Sequence, residues 1–92
     1  MPVTTGLVLR GLIAAYREFV SRKDGKTYRI VTVYGDLVAG EDVLCAVDGY
    51  DVFVDTPGYA RGEMVSFPAR LQFARDGSGK PIVRLYVYEG VR

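Results

Sequence analysis

The 92-residue chain contains no histidine and no tryptophan, and it has a single cysteine, Cys45. Without histidine the usual general base near neutral pH is missing. Neither a Cys–His nucleophile pair nor a Cys/His zinc cluster can be assembled from one cysteine alone. No intrachain disulfide can form, which fits a reducing compartment, and Cys45 lies in an apolar run, which predicts a buried structural thiol. No phosphate-cradling glycine motif occurs, and Gly77-Ser78-Gly79 reads as a turn. The carboxylates Asp48, Asp51 and Asp55 lack the spacing of a calcium loop. These absences argue against an enzyme and call for no cofactor or metal.

Long apolar runs are missing as well. The longest near-apolar stretch, from Leu7 to Tyr16, is interrupted by Arg10. A membrane-spanning helix needs about 20 apolar residues. The opening Met1-Pro2-Val3-Thr4-Thr5 has no basic start followed by an apolar segment. The expectation is a soluble, cytoplasmic protein with no membrane partner, folded as one domain over residues 1–92.

What is present is strand chemistry. The chain holds 7 Tyr, 4 Phe and many valines, which favour half-buried pleated strands, punctuated by 11 Gly. Alternation predicts strands at Thr27 to Tyr34, Val43 to Val47, Glu63 to Arg75 and Pro81 to Tyr88. The second of these either turns at Asp48-Gly49 or continues through a bend there to Val52-Phe53-Val54. Pro68 marks a sheet edge or a bulge, because it cannot donate a ladder hydrogen bond. Asp76-Gly77-Ser78-Gly79 reads as a hairpin loop. The segment from Leu7 to Val20 fits a long strand kinked at Gly11, or a helix on the spacing of Leu9, Leu12, Ile13, Tyr16 and Val20. With the strand reading, the fold class is all-β: a small five-stranded Greek-key barrel, OB-fold-like, with an SH3-like barrel as rival.

Charge is close to balanced, at +1, but it is segregated. Residues 10–29 carry six cations against two carboxylates. Residues 36–63 carry seven carboxylates against Arg61 alone, and residues 64–92 carry five cations against two carboxylates. If the two basic segments share a face, that face is positive.

Single-strand binders combine cations along the backbone path with aromatic faces on which bases stack. Both ingredients are interleaved in Ser21-Arg22-Lys23-Asp24-Gly25-Lys26-Thr27-Tyr28-Arg29. On the last strand Arg84, Tyr86 and Tyr88 share one face, opposite Val83, Leu85 and Val87. The candidate nucleic-acid-binding residues are therefore Arg22, Lys23, Lys26, Tyr28, Arg29, Lys80, Arg84, Tyr86 and Tyr88. Tyr34 is expected in the core and Tyr59 in loop packing. Arg61, Arg70 and Arg75 read first as surface charges. The alternative function is a protein-interaction or structural β-barrel that assembles through its Tyr86–Tyr88 face.

The stretch Ser21-Arg22, Gly25-Lys26, Tyr28 resembles the gene V-type single-stranded-DNA-binding proteins of filamentous phages. Pro57-Gly58-Tyr59-Ala60 followed by Gly62 resembles that family's loop ahead of its fourth strand, and Arg84-Leu85 resembles a pair on its last strand. The aromatic that the family carries at the tip of its final hairpin is absent from Asp76-Gly77-Ser78-Gly79-Lys80. The resemblance implies an OB-type barrel, homodimers, and sequence-tolerant coating of single-stranded DNA in replication, with DNA favoured over RNA. It further implies Arg22 and Lys26 on phosphates, Tyr28 stacked on a base and Arg84 on the backbone.

Overall fold

The computed structural model describes residues 6–89; Arg92, counted above among the cations, lies outside them. Five strands follow in chain order: β1 (Leu7–Val20), β2 (Thr27–Ala39), β3 (Asp42–Val54), β4 (Met64–Arg75) and β5 (Pro81–Val87). The described residues contain no helix. All pairings are antiparallel, in the order β3-β2-β1-β4-β5. Three hairpin-connected strands with the fourth returning beside the first make a Greek key. The fold is thus an all-β, OB-like layout that remains partly open, because no ladder joins β3 to β5.

Leu7–Val20 is a strand throughout, and Asp24-Gly25 turns a hairpin rather than ending a helix. Val20 pairs with Thr27, the Ser21 amide donates to the Lys26 carbonyl, and Gly25 sits at φ 72°. The distortion in β1 falls at Ala14, not Gly11. Ile13 opposes Val33 and Ala15 opposes Thr32, so Ala14 is the extra residue of a bulge. Its carbonyl accepts from Arg61 Nε at 3.1 Å. β3 is also continuous. It passes Asp48-Gly49 by a bulge at Gly49 (φ 79°), with Asp48 opposite Tyr34 and Tyr50 opposite Val33.

Pro68 lies where β4 changes partner. The β1 ladder runs from Leu12↔Met64 to Val8↔Pro68, and the β5 ladder begins at Ala69↔Val87. A residue without an N–H fits this hand-off, and the Pro68 carbonyl accepts from the Tyr88 amide at 2.8 Å.

The core is formed by Leu9, Ile13, Val31, Val33, Val52, Val54, Tyr59, Val65 and Phe67, with Leu7, Leu37 and Ala69 in a second cluster. Each fully buried aliphatic side chain contributes roughly 1.5–3 kcal/mol. Tyr59 is buried, its ring edge-on to Phe67 at 6.0 Å between centroids. Two expectations are corrected. Tyr34 is not in the core but on the outer surface, 49% exposed, because it pairs across to the outward Asp48 while its ring lies over Gly49. Cys45 is exposed rather than buried, because the barrel is open where β3 begins.

Side chains bridge the open seam. By antiparallel alternation β3 and β5 run parallel. The Tyr50 hydroxyl donates to the Leu85 carbonyl at 2.9 Å. Just past the end of β3, the Asp55 amide donates to Glu89 Oε1 at 2.7 Å. Glu89 also accepts from the Thr56 amide at 3.2 Å and from the Tyr59 hydroxyl at 2.5 Å. Partial burial pushes the Glu89 carboxyl up, but the hydrogen bonds from Tyr59, Asp55 and Thr56 outweigh it, and the group ends below its ordinary value.

β1 and β2 touch most closely at Gly11 and Gly35, which oppose each other. A Cβ at Gly35 would meet the Arg10 carbonyl oxygen at 2.0 Å, and one at Gly11 would meet the Tyr34 oxygen at 2.2 Å. Gly35→Ala is therefore expected to destabilise the fold by about 1–3 kcal/mol. Gly77→Ala, with nothing within 4 Å, is expected to be neutral or slightly stabilising. Urea denaturation of the two variants checks this.

The Glu89 clamp sets a pH dependence. Its acidity is greater in the folded chain than in the unfolded one, so its contribution is complete above the ordinary glutamate range and is lost as pH falls through the lower folded value. Acid titration of stability should show a smaller loss below pH ~4.3 in Glu89→Gln than in the wild type, from a lower starting stability.

Candidate nucleic-acid interface

The Ala14 bulge determines which side chains of β1 face out. Before it, Leu7, Leu9 and Ile13 point into the core; after it, Tyr16 packs against the core and Phe19 stands on the outer face. Phe19 opposes Tyr28 on β2, and the rings stack with centroids 5.5 Å apart and planes 24° apart. Phe53 stands outward between the buried Val52 and Val54. Its ring meets Tyr28 edge-on at 6.1 Å. Three strands thus present three rings side by side, with Phe19 46% and Phe53 62% exposed. Ile30, opposite both Arg17 and Phe53, extends the surface.

The β1–β2 turn borders this platform. The Arg22, Lys23 and Lys26 side chains have no ion-pair or hydrogen-bond partner among the described residues. The turn is held by its own acid. Asp24 accepts from the Lys26 amide at 2.9 Å and from the Tyr28 hydroxyl at 2.8 Å, and the Lys23 amide donates to Ser21 Oγ at 3.2 Å. These donors, the Lys26 amide foremost, lower the Asp24 pKa, and the Asp24 carboxylate in turn raises that of the Tyr28 phenol. The tyrosine ring is thereby fixed at its polar end and leaned on Phe19 at its apolar end.

Arg29 lies on the other face of β2. Its neighbours are Glu18, with Arg29 Nε 3.5 Å from Glu18 Oε2, and the Asp55 carbonyl, which accepts from Nη1 at 3.2 Å. Glu18 also accepts from the Tyr16 hydroxyl. Burial first, and then this bond, raise the Tyr16 phenol pKa. Arg29 therefore belongs to a polar cap over the end of the core, while Tyr28 belongs to the platform.

The remaining candidates form a second cluster on the β4–β5 hairpin. Arg70 opposes Tyr86, and Gln72 opposes Arg84. The Arg70 guanidinium sits 5.4 Å from the Tyr86 ring centre and 5.6 Å from that of Tyr88. Such contacts contribute roughly 0.5–1 kcal/mol at exposed sites. Lys80 lies in the hairpin turn, where its amide donates to Asp76 Oδ1. The Lys80 and Arg84 side chains have no partner among the described residues. No hydrogen bond, ion pair or ring contact connects this cluster to the Phe19–Tyr28–Phe53 platform. Among the described residues no three His, Cys, Asp or Glu side chains lie close enough to hold a metal ion, and no helix is long and apolar enough to cross a membrane.

Of the nine candidates, the structure gathers Arg22, Lys23, Lys26 and Tyr28 at one end of the β1–β2–β3 face. It sets Lys80, Arg84, Tyr86 and Tyr88 on the hairpin. Phe19 and Phe53 were not foreseen. No family model, curated protein or solved structure matches this chain.

Asp24→Asn keeps an acceptor for Tyr28 but removes the charge. The Tyr28 phenol is expected to titrate at lower pH in this variant, returning toward the ordinary tyrosine value. Carbon-13 NMR of labelled tyrosine checks the direction, with the other six tyrosines unmoved.

Proposed function

We propose that this protein binds single-stranded nucleic acid, DNA before RNA and without regard to sequence, as paired copies. Bases stack on the Phe19–Tyr28–Phe53 platform and phosphates lie along Arg22, Lys23 and Lys26. The carrying observation is the placement of three outward rings, Phe19 and Phe53 exposed and Tyr28 half-buried between them, beside a turn whose cations have no partner among the described residues. A monomeric surface has little reason to leave such rings in water. In OB-type barrels the face of the second and third strands, with the loops joining strands one to two and four to five, is where oligonucleotides bind. The platform, the Ser21–Lys26 turn and Lys80 occupy those positions. The resemblance of Ser21-Arg22, Gly25-Lys26 and Tyr28 to the gene V-type proteins points the same way, and it is the basis for preferring DNA and a role in replication. Arg84, Tyr86, Tyr88 and the guanidinium of Arg70 give the strand a second contact after it leaves the platform.

Fluorescence or anisotropy titration with short labelled oligonucleotides at several salt concentrations tests this. Affinity should fall steeply with salt, because bound phosphates release counterions. Tyr28→Ala and Phe53→Ala should each cost about 1–3 kcal/mol of binding with little change in salt slope. Lys23→Glu with Lys26→Glu should weaken binding to every sequence and flatten the slope. Unchanged oligonucleotide affinity in all three variants would refute the site.

A further inference from the structure

Two apolar strips on the edge strands of the sheet lie uncovered, and they carry opposite charge. The first is on the β4–β5 hairpin. Its core-facing row continues past Ala69↔Val87 as Leu71↔Leu85 and Phe73↔Val83, but the core does not follow. Phe73 is 82% and Val83 55% exposed. Arg75 shares the row of Leu71 and Phe73 and Lys80 stands in the turn beside it, while Arg70 and Arg84 lie on the opposite side with Tyr86. The hairpin's lone carboxylate, Asp76, is occupied by the Ser78 amide and hydroxyl and by the Lys80 amide. The second strip is the start of β3, Asp42 to Ala46, where every residue is exposed, Val43 and Leu44 included. Around it stand Asp36, Glu41, Asp42 and Asp48, none of them in an ion pair or hydrogen bond among the described residues. From Ile30 to Ala60 the chain has no lysine or arginine.

Both strips also carry strand edges with no ladder partner, since β3 pairs only with β2 and β5 only with β4, and Tyr50 takes the Leu85 carbonyl but no group of the Asp42–Ala46 edge. Free edges with exposed apolar side chains are templates for strand addition. Pairing like with like would set cations on cations or carboxylates on carboxylates. Pairing unlike strips brings opposite charges together and covers both apolar rows. We propose that the β4–β5 hairpin of one copy docks on the Asp42–Ala46 edge of a second copy. This deepens the pairing of copies proposed above, but it does not require nucleic acid. It also uses the Leu71–Phe73–Val83 side of the hairpin, which leaves Tyr86 and Tyr88 on the opposite side free.

Sedimentation without nucleic acid tests the proposal through a charge swap. Arg75→Glu with Lys80→Glu, and separately Glu41→Lys with Asp42→Lys, should each shift a self-associating wild type toward monomer, raising the dissociation constant about tenfold or more. An equimolar mixture of the two variants should associate again, which also shows that each is folded. A wild type that stays monomeric at all concentrations, including one in which hairpin and edge close within a single chain, overturns the proposal. So does a Glu41→Lys/Asp42→Lys variant with wild-type association, the outcome of hairpin-to-hairpin pairing, or a mixture that remains monomeric. Because nucleic acid is absent, failure here leaves the oligonucleotide titrations to be judged separately.

Discussion

The extra residue at Ala14 governs what the outer surface of this sheet is. Side chains alternate across a strand with period two, so one inserted residue exchanges the faces of everything after it. Without the bulge, Phe19 would share the inward row of Leu9 and Ile13, and Tyr16 would point to water. With it, Tyr16 completes the core and Phe19 stacks on Tyr28. The bulge is in turn fixed from outside β1. Ile13 is bonded to Gly62 and Glu63 through its carbonyl and amide, and the Ala14 carbonyl is taken by Arg61. The β3–β4 connection thus holds the distortion that creates the aromatic face.

The same end of the barrel is closed by polar contacts rather than by a ladder. Tyr16 donates to Glu18, Arg29 lies between Glu18 and the Asp55 carbonyl, and Glu89 gathers the Asp55 and Thr56 amides with the Tyr59 hydroxyl. Backbone donors at the end of β3 would otherwise be unpaired where the seam opens, at the cost of leaving polar groups unsatisfied. Charge-assisted bonds to one carboxylate satisfy two amides and a hydroxyl together. This frees Tyr28, one residue before Arg29, to face outward without leaving the core end uncapped.

Much of this was legible in the sequence, and the failures have definite causes. The five strands, the continuous β4 and the basic turn follow from alternation and from Asp24-Gly25 and Asp76-Gly77. Phe19 was missed because a bulge leaves no residue-type signature at Ala14, and the leftover spacing imitates a helix. Phe53 was missed for a related reason. As long as Asp48-Gly49 reads equally as a turn, the faces of Val52-Phe53-Val54 have no reference, although a phenylalanine between two valines carried the signal. Tyr34 was misplaced although alternation with the buried Val31 and Val33 sets it on the outer row of Tyr28, and Cys45 because apolar neighbours say nothing about where a barrel stays open. Arg29 sits beside Tyr28 in sequence, and adjacent strand residues necessarily face opposite ways.

The charge pattern also explains how a chain of net charge +1 can present a face suited to an anion. From Tyr28 and Phe53 to Tyr34 and Asp48, the outer surface runs about six residues, or roughly 20 Å. That is more than twice the screening length of about 8 Å at physiological salt, so the acidic start of β3 is weakly felt at the platform. Asp51 is the exception, only two residues from Phe53, or about 7 Å. It is also the one outer-face carboxylate on β3 that is bonded, to Arg17 at 3.2 Å and to the Thr32 hydroxyl at 2.6 Å. An exposed pair of this kind adds little stability. Its larger effect is on the local field, since Arg17 offsets the carboxylate that β3 sets nearest the rings, just as Arg22, Lys23 and Lys26 flank Asp24, the acceptor of the Tyr28 hydroxyl. Removal of Arg17 would therefore act on the platform through Asp51, without a contact to any ring.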